Sequence, residues 1–198
     1  DVTLNGALTA LGGTGVIAGA GNTVTIGATR DLIDGNNGST LISVGTLGVT
    51  AGRAVGAAGA GRIDTAVVTL NAAAGGTGGI FVNQTGNLAI GASDLKTSGG
   101  SIVLDVAGNL TSLAGSDILT NQGAGAGGGI TIAVTGAGNG INLAGAVNSS
   151  GANNGAGAGF DAGTIQITTA DGAITAGNVA ANGGNGTAAG GTGGTVTI

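Results

Sequence analysis

Aliphatic and polar residues alternate in short runs along this chain. Val2-Thr3-Leu4, Val24-Thr25-Ile26, Ile42-Ser43-Val44, Val68-Thr69-Leu70, Ile80-Phe81-Val82, Ile102-Val103-Leu104, Ile130-Thr131-Ile132, Ile165-Gln166-Ile167 and Val196-Thr197-Ile198 all follow this pattern. Strict alternation over three to five residues predicts strands with one buried face. Helices are a poor alternative. Val, Ile and Thr dominate the apolar runs, and each helix-interior Gly costs about 1 kcal/mol relative to Ala. Segments rich in Gly, Asn and Asp separate the runs and supply turns.

The runs recur as a unit: a Gly pair or Gly-Ser/Thr, an aliphatic-x-aliphatic strand, then shorter aliphatic segments. Asn109-Leu110 and Asp117-Ile118-Leu119 follow Ile102, Ile141-Asn142-Leu143 and Val147 follow Ile130, and Ile174 and Val179 follow Ile165. The openings at Ile80, Ile102, Ile130, Ile165 and Val196 lie 22, 28, 35 and 31 residues apart. The variable length falls in Gly-rich filler at Asn121 to Gly128, Gly151 to Ala162 and Asn182 to Gly193. Between residues 41 and 80 the phase is ambiguous: Ile80 either opens a coil or continues one begun at Val68.

A fold class follows. Short strands at this repeat suit an all-β parallel β-helix, or β-solenoid, of about 22 or more residues per coil with Gly-rich excursions. Residues 1–198 are expected to form one continuous solenoid segment. Each coil stacks about 4.8 Å above the last, and its inward residues form ladders along the axis. The expected core ladder is Ile102, Leu104, Leu110, Ile118, Ile130, Ile132, Ile165, Ile167, Ile174 and Val179. An antiparallel sandwich or barrel also uses regular short strands, but it needs large core residues, and this chain has two Phe and no Trp or Tyr. Absent Pro agrees with central strands that each need their N–H.

Composition narrows the chemistry. Gly accounts for 48 of 198 residues, yet 41% are apolar and mean hydropathy is +0.47, unlike a disordered chain. Gly does not recur every third residue as collagen requires. With no His or Cys there is no Ser-His-Asp or Cys-His system, no zinc site of the usual ligands and no thiol redox chemistry. Four basic residues, Arg30, Arg53, Arg62 and Lys96, provide no positive face for nucleic acid. No apolar run is long enough for a transmembrane helix, and no signal peptide is visible. Both ends read as strands cut mid-pattern, which predicts a processed chain or a fragment of a longer one.

The Gly-Gly-Φ-x-Φ strands, the Asn-rich turns, Val68-Thr69-Leu70-Asn71-Ala72-Ala73 and Ala107-Gly108-Asn109-Leu110-Thr111 resemble the repeat regions of filamentous-haemagglutinin-type bacterial exoproteins. The resemblance covers nearly the whole chain and is clearest over residues 63–198. It implies a right-handed parallel β-helix shaft, secreted or displayed on the cell surface. That family's N-terminal secretion domain carries Asn-Pro motifs, which this Pro-free chain lacks. Asn182 to Gly193 is also similar, locally, to mycobacterial Gly-rich surface proteins.

Each candidate for chemistry has a plainer competitor. Gly157-Ala158-Gly159-Phe160-Asp161 and Gly115-Ser116-Asp117-Ile118-Leu119 each match part of a calcium-binding nonapeptide. That site needs tandem copies, so turn capping by Asp is expected instead. Gly123 to Gly129 lacks the Lys-Ser/Thr of a P-loop. The nine acidic residues, all Asp, show no pairing suited to glycoside chemistry and are expected mostly in or beside turns. Thr23-Val24-Thr25 and Thr195-Val196-Thr197 bring an ice-binding face to mind, but most coils place other residues there. Asn such as Asn36, Asn37, Asn153 and Asn154 are expected in ordinary turns, with stacked Asn ladders as the alternative.

The expected function is therefore structural: a non-catalytic shaft of a secreted or cell-surface bacterial adhesin or extracellular fibre, without a cofactor or metal. Specific binding to a host surface, neighbouring cell or matrix would lie in parts outside this chain. A second expectation is a protomer stacking end to end on other copies of itself. A third is a glycan- or ice-binding module whose Gly/Ala/Asn loops make the contact.

Overall fold

The computed structural model describes residues 2–4, 8–9, 22–35, 41–121, 123 and 125–198. Asn36 and Asn37 lie outside the described residues. The strands are β1 (Val2–Leu4), β2 (Leu8–Thr9), β3 (Thr23–Ala28), β4 (Leu32–Asp34), β5 (Leu41–Ala51), β6 (Ile63–Ala74), β7 (Ile80–Gln84), β8 (Leu88–Thr97), β9 (Ile102–Val106), β10 (Leu110–Ser112), β11 (Ile118–Leu119), β12 (Ile130–Val134), β13 (Ile141–Leu143), β14 (Val147–Asn148), β15 (Ile165–Thr169), β16 (Ile174–Ala176), β17 (Val179–Ala180) and β18 (Val196–Thr197). Every pairing between these strands is parallel, and partners lie one coil apart. The fold is a parallel β-solenoid.

From Ile80 onward each complete coil has three sides. The first carries β7, β9, β12, β15 and β18; the second the start of β8, then β10, β13 and β16; the third the end of β8, then β11, β14 and β17. One register column on the first side runs Val2, Leu32, Val55, Ile80, Ile102, Ile130, Ile165, Val196. Its members lie 22 to 35 residues apart in sequence. Six of these, from Leu32 to Ile165, are at most 1% exposed.

This column settles the phase between residues 41 and 80. Ile80 opens a coil, because it pairs with Val55 below and Ile102 above. Val68 does not begin an inward strand. It stands at a corner, 53% exposed, where β6 passes from the first side to the second and its in/out alternation slips by one residue. Phase is hidden here because β5 and β6 run through the corner without a turn sequence.

Ile102, Leu104, Leu110, Ile118, Ile130, Ile132, Ile165 and Ile167 are all buried, none more than 1% exposed. Ile174 and Val179 differ: they are half-buried and pack against the core from its margin. Among the described residues, β16 and β17 are bonded to a strand on one side only, so no coil covers these two side chains.

Polar side chains inside the solenoid replace missing backbone partners. Gln84 is 2% exposed. Its Oε1 accepts from the Thr65 hydroxyl at 2.7 Å and the Val67 N–H at 3.2 Å, while its Nε2 donates to the Val67 carbonyl at 2.8 Å. β7 stops at Gln84 and β8 rejoins the β6 ladder at Thr69, so neither strand pairs with Val67 from that side. The Gln84 amide takes the place of a rung. Buried backbone groups left unpaired would cost about 1–3 kcal/mol each.

Candidate functional site

The corners carry the polar links between coils. The Asn71 Oδ1 accepts the Ser93 N–H at 2.8 Å, Asn87 accepts Asn109 N–H at 2.8 Å, and Asn109 accepts Gly140 N–H at 2.8 Å. The Asp94 carboxylate accepts Asp117 N–H at 2.9 Å, and Asp117 accepts Ala146 N–H at 2.8 Å. Each bond ties a corner to the following coil. Short acceptor side chains suit this place because a corner N–H points along the axis with no ladder carbonyl above it. Asp94 also adopts φ 68°, a left-handed conformation that Asp tolerates better than most residues.

The Gly-rich fillers all leave the solenoid at one corner, between the third side and the first. They are closed and layered. Gly163 N–H bonds Ser149 O at 2.9 Å, and Gly194 N–H bonds Ala181 O at 2.8 Å, closing two successive excursions at their necks. Between layers, Asn154 N–H reaches Asn185 O at 2.7 Å and Ala162 N–H reaches Thr192 O at 2.9 Å. Asn153 Oδ1 accepts Asn185 N–H at 2.7 Å and Asp161 accepts Thr192 N–H at 2.6 Å. The Thr192 amide holds the Asp161 carboxyl below its usual range. At Gly163 a Cβ would overlap the Gly128 carbonyl of the layer below. The excursions are thus a second, backbone-bonded stack beside the core.

Buried hydroxyls anchor these excursions. Thr120 Oγ1 donates to Gly128 O at 2.7 Å, and Ser149 Oγ donates to Gly163 O at 2.8 Å. Thr97 Oγ1 makes the equivalent bond to Gly100 O. Each acceptor lies two residues before a first-side strand, so the hydroxyl fixes where the next coil begins.

Asp117 and Asp161, the two carboxylates of the partial calcium motifs, both serve as acceptors for the next coil. Among the described residues no group of three or more His, Cys, Asp or Glu is placed to hold a metal ion.

Charge gathers around one excursion of the first side. Between Val55 and Ile63 the chain leaves the sheet as a short loop with a 3₁₀ turn at Gly59–Gly61, closed by Ala57 N–H to Gly61 O at 2.8 Å. Gly56 takes φ 71° at its base, where a Cβ would press on the Phe81 carbonyl. On one flank, Arg62 pairs with Asp105, and Asn83 Nδ2 donates to Asp64 Oδ1 at 2.6 Å. These four residues and Gly59 and Ala60 line a cleft of about 240 Å³. On the other flank, Arg53 grips Asp31 through Nη2 at 2.7 Å and Nε at 3.3 Å. The Arg53 hydrogen bond draws the Asp31 carboxyl below its usual range, against the effect of desolvation and with help from the Ala54 N–H.

Asp64 and Asp105 therefore depart from the expectation that Asp sits in or beside turns. They lie within β6 and β9, in one outward register column with Asn83 between them. Their grouping is invisible in sequence, since it depends on the loop that shifts coil phase between Val55 and Ile63. Among the described residues Arg62 pairs with Asp105 and Arg53 with Asp31, while the buried Asp64 Oδ2 and Arg62 Nε have no hydrogen-bond partner.

The long strands β3, β5 and β6 also set outward residues in register across the second and third sides. Thr23, Thr46 and Thr69 form one column, and Thr25, Gly48 and Asn71 the next. The first column continues through Ala89, Thr111, Asn142 and Thr175.

No family model, curated protein or solved structure matches this chain.

Proposed function

We propose that this chain is a length of structural shaft, a non-catalytic solenoid rod belonging to a secreted or cell-surface fibre or adhesin. The supporting observation is continuity. One inward column runs in register from Val2 to Val196, and bonds from corner Asn and Asp join successive coils outside it. Among the described residues successive coils are bonded through backbone, from Asn71 onward also through corner side chains and, in the later coils, through layered excursions. Such redundancy suits a rod that must stay extended and resist proteolysis, because opening one coil breaks many bonds at once. The resemblance to filamentous-haemagglutinin-type repeats supports the same reading.

A second reading is end-to-end stacking of separate copies through the same parallel pairing that joins successive coils. Strand edges with apolar residues behind them accept another coil readily.

The test is the denatured mass of the native chain carrying this sequence, together with negative-stain images of it. A mass far above 17.8 kDa with extended rods supports the shaft. A mass near 17.8 kDa with filaments supports the stacking protomer. Isolated compact particles at that mass would overturn both.

A further inference from the structure

We propose that Asn182 and Asn185 are sites of spontaneous deamidation, each closing a succinimide ring with the glycine that follows it. Within the described residues Asn-Gly occurs at Asn139-Gly140, Asn154-Gly155, Asn182-Gly183 and Asn185-Gly186. In such a pair no Cβ on the second residue shields its backbone nitrogen. That nitrogen loses its proton and attacks the Asn Cγ. A new N–Cγ bond forms, the Cγ–Nδ2 bond breaks, and Nδ2 leaves with the proton as ammonia. Water then opens the ring at one of its two carbonyls, leaving Asp or isoaspartate.

Two groups must be available: the Gly N–H, which deprotonates, and the Asn side chain, which turns onto it. The structure sorts the four pairs by these groups. At Asn139 both are committed. Gly140 N–H donates to Asn109 Oδ1 at 2.8 Å, and Asn139 Nδ2 donates to Ala107 O at 3.2 Å. At Asn154 the side chain is held at both ends. Its Oδ1 accepts Ala156 N–H at 3.1 Å, and its Nδ2 donates to Ala158 O at 2.9 Å. Asn182 and Asn185 are exposed, and neither side chain hydrogen-bonds another described residue. The N–H groups of Gly183 and Gly186 likewise have no partner among the described residues.

The backbone bonds of these two Asn run through other atoms. Asn182 N–H donates to Ser150 Oγ at 3.0 Å, and its carbonyl accepts Gly151 N–H at 2.9 Å. Asn185 N–H donates to Asn153 Oδ1 at 2.7 Å, and its carbonyl accepts Asn154 N–H at 2.7 Å. These bonds hold the segment in its layer and leave the reacting atoms free. From Asn182 to Gly193, Gly184 alone is buried. Brief openings that let an Asn backbone turn therefore cost far less than opening the core.

The consequence falls on the layered stack. In isoaspartate the main chain runs through the side-chain carbonyl, and the former Asn carbonyl becomes a free carboxylate. At residues 182 and 185 that carbonyl is the acceptor joining this layer to the 151–162 layer. Each event adds a negative charge and lengthens the main chain, so the layers lose register beside an unchanged core.

This chemistry is independent of the shaft reading, and its failure leaves that reading untouched. The experiment is timed incubation of the folded chain at mildly alkaline pH, then peptic digestion in acid and electron-transfer fragmentation of the peptides. That fragmentation locates each conversion and tells isoaspartate from Asp. The expected result is ammonia loss at Asn182 and Asn185 at least roughly tenfold faster than at Asn139 and Asn154. In denaturant the four rates should converge, because the pairs are chemically alike. Asn109→Ala, which removes the acceptor of Gly140 N–H, should speed Asn139 several-fold in the folded chain. Amide exchange at Gly151 and Asn154 should rise in the isoaspartate form while core amides stay protected. Equal rates at the four sites of the folded chain would overturn the proposal. So would Asn139 or Asn154 reacting first, or Asn182 and Asn185 staying intact while the denatured chain reacts.

Discussion

The Asp117 carboxylate accepts the Ala146 N–H at 2.8 Å, joining a corner to the coil that follows 29 residues later. Asp94 stands in the same relation to Asp117, at 2.9 Å. One residue thus takes part in two corner ties, its backbone N–H donating to Asp94 below and its carboxylate accepting from Ala146 above. These ties are local in space but distant in sequence, and they make coil stacking a polar as well as an apolar arrangement.

Removing a rung from the apolar ladder should be costly. Ile132 is fully buried between Leu104 and Ile167 of the adjoining coils. Ile132→Ala is expected to lower unfolding free energy by about 2–5 kcal/mol. Ile132→Asp should abolish protease resistance and the β-type circular dichroism, since an unpaired charge would enter the core. Denaturant titration and limited proteolysis check both.

Gln84 offers a test of polar replacement inside the core. Gln84→Leu keeps most of the volume but strips partners from the Val67 N–H and carbonyl, while the Thr65 hydroxyl keeps the Asn83 carbonyl at 3.3 Å. Each buried group left unpaired should cost about 1–3 kcal/mol. The variant should therefore be less stable than wild type in denaturant, although the substitution makes the interior more apolar.

Two glycines in one excursion should respond oppositely to alanine. At Gly163 a Cβ would overlap the Gly128 backbone, whereas at Gly155 nothing lies within 4 Å. Gly163→Ala is expected to destabilise by about 1–3 kcal/mol, as overpacking does. Gly155→Ala should stay within about 0.5 kcal/mol of wild type. Thermal melts of the two variants make the comparison.

The Asp161 carboxylate provides a pH signature. Its folded pKa lies below the ordinary 3.8, chiefly because the charged form accepts the Thr192 N–H. A depressed carboxylate pKa contributes stability that is present above the unfolded value and is lost as pH falls through the folded one. Protection of the Thr192 amide should therefore be retained near neutrality and decline only below about pH 3.8. In Asp161→Asn, which keeps the Oδ1 acceptor without the titration, that acid-dependent loss should disappear. Amide exchange measured across this range is the check.

Much of the fold was legible because the repeat is written in side-chain alternation. Ile102, Ile130 and Ile165 each follow a Gly-rich stretch and each open an x-aliphatic pattern, so their column could be read directly. Leu32 and Val55 belong to the same column but were hidden. Asp34 occupies an inward place after Leu32, and the loop from Ala57 to Arg62 separates Val55 from Ile63. Gln84 was overlooked for a related reason: a polar residue at an inward position reads as an outward one until its partners are known. The Asp64–Asn83–Asp105 column required coil phase, which no local pattern supplied. Corner roles for Asp117 and Asp161 were anticipated in type, as turn acceptors, but the donors belong to the next coil and only the stacking identifies them.

The parallel, in-register stack is most directly tested by methyl NOE spectroscopy of a chain with labelled Ile and Leu methyl groups. Cross-peaks from Ile132 to both Leu104 and Ile167, and from Ile130 to both Ile102 and Ile165, are predicted. Absence of these cross-peaks, with the Hα–Hα contacts of antiparallel neighbours in their place, would contradict the solenoid.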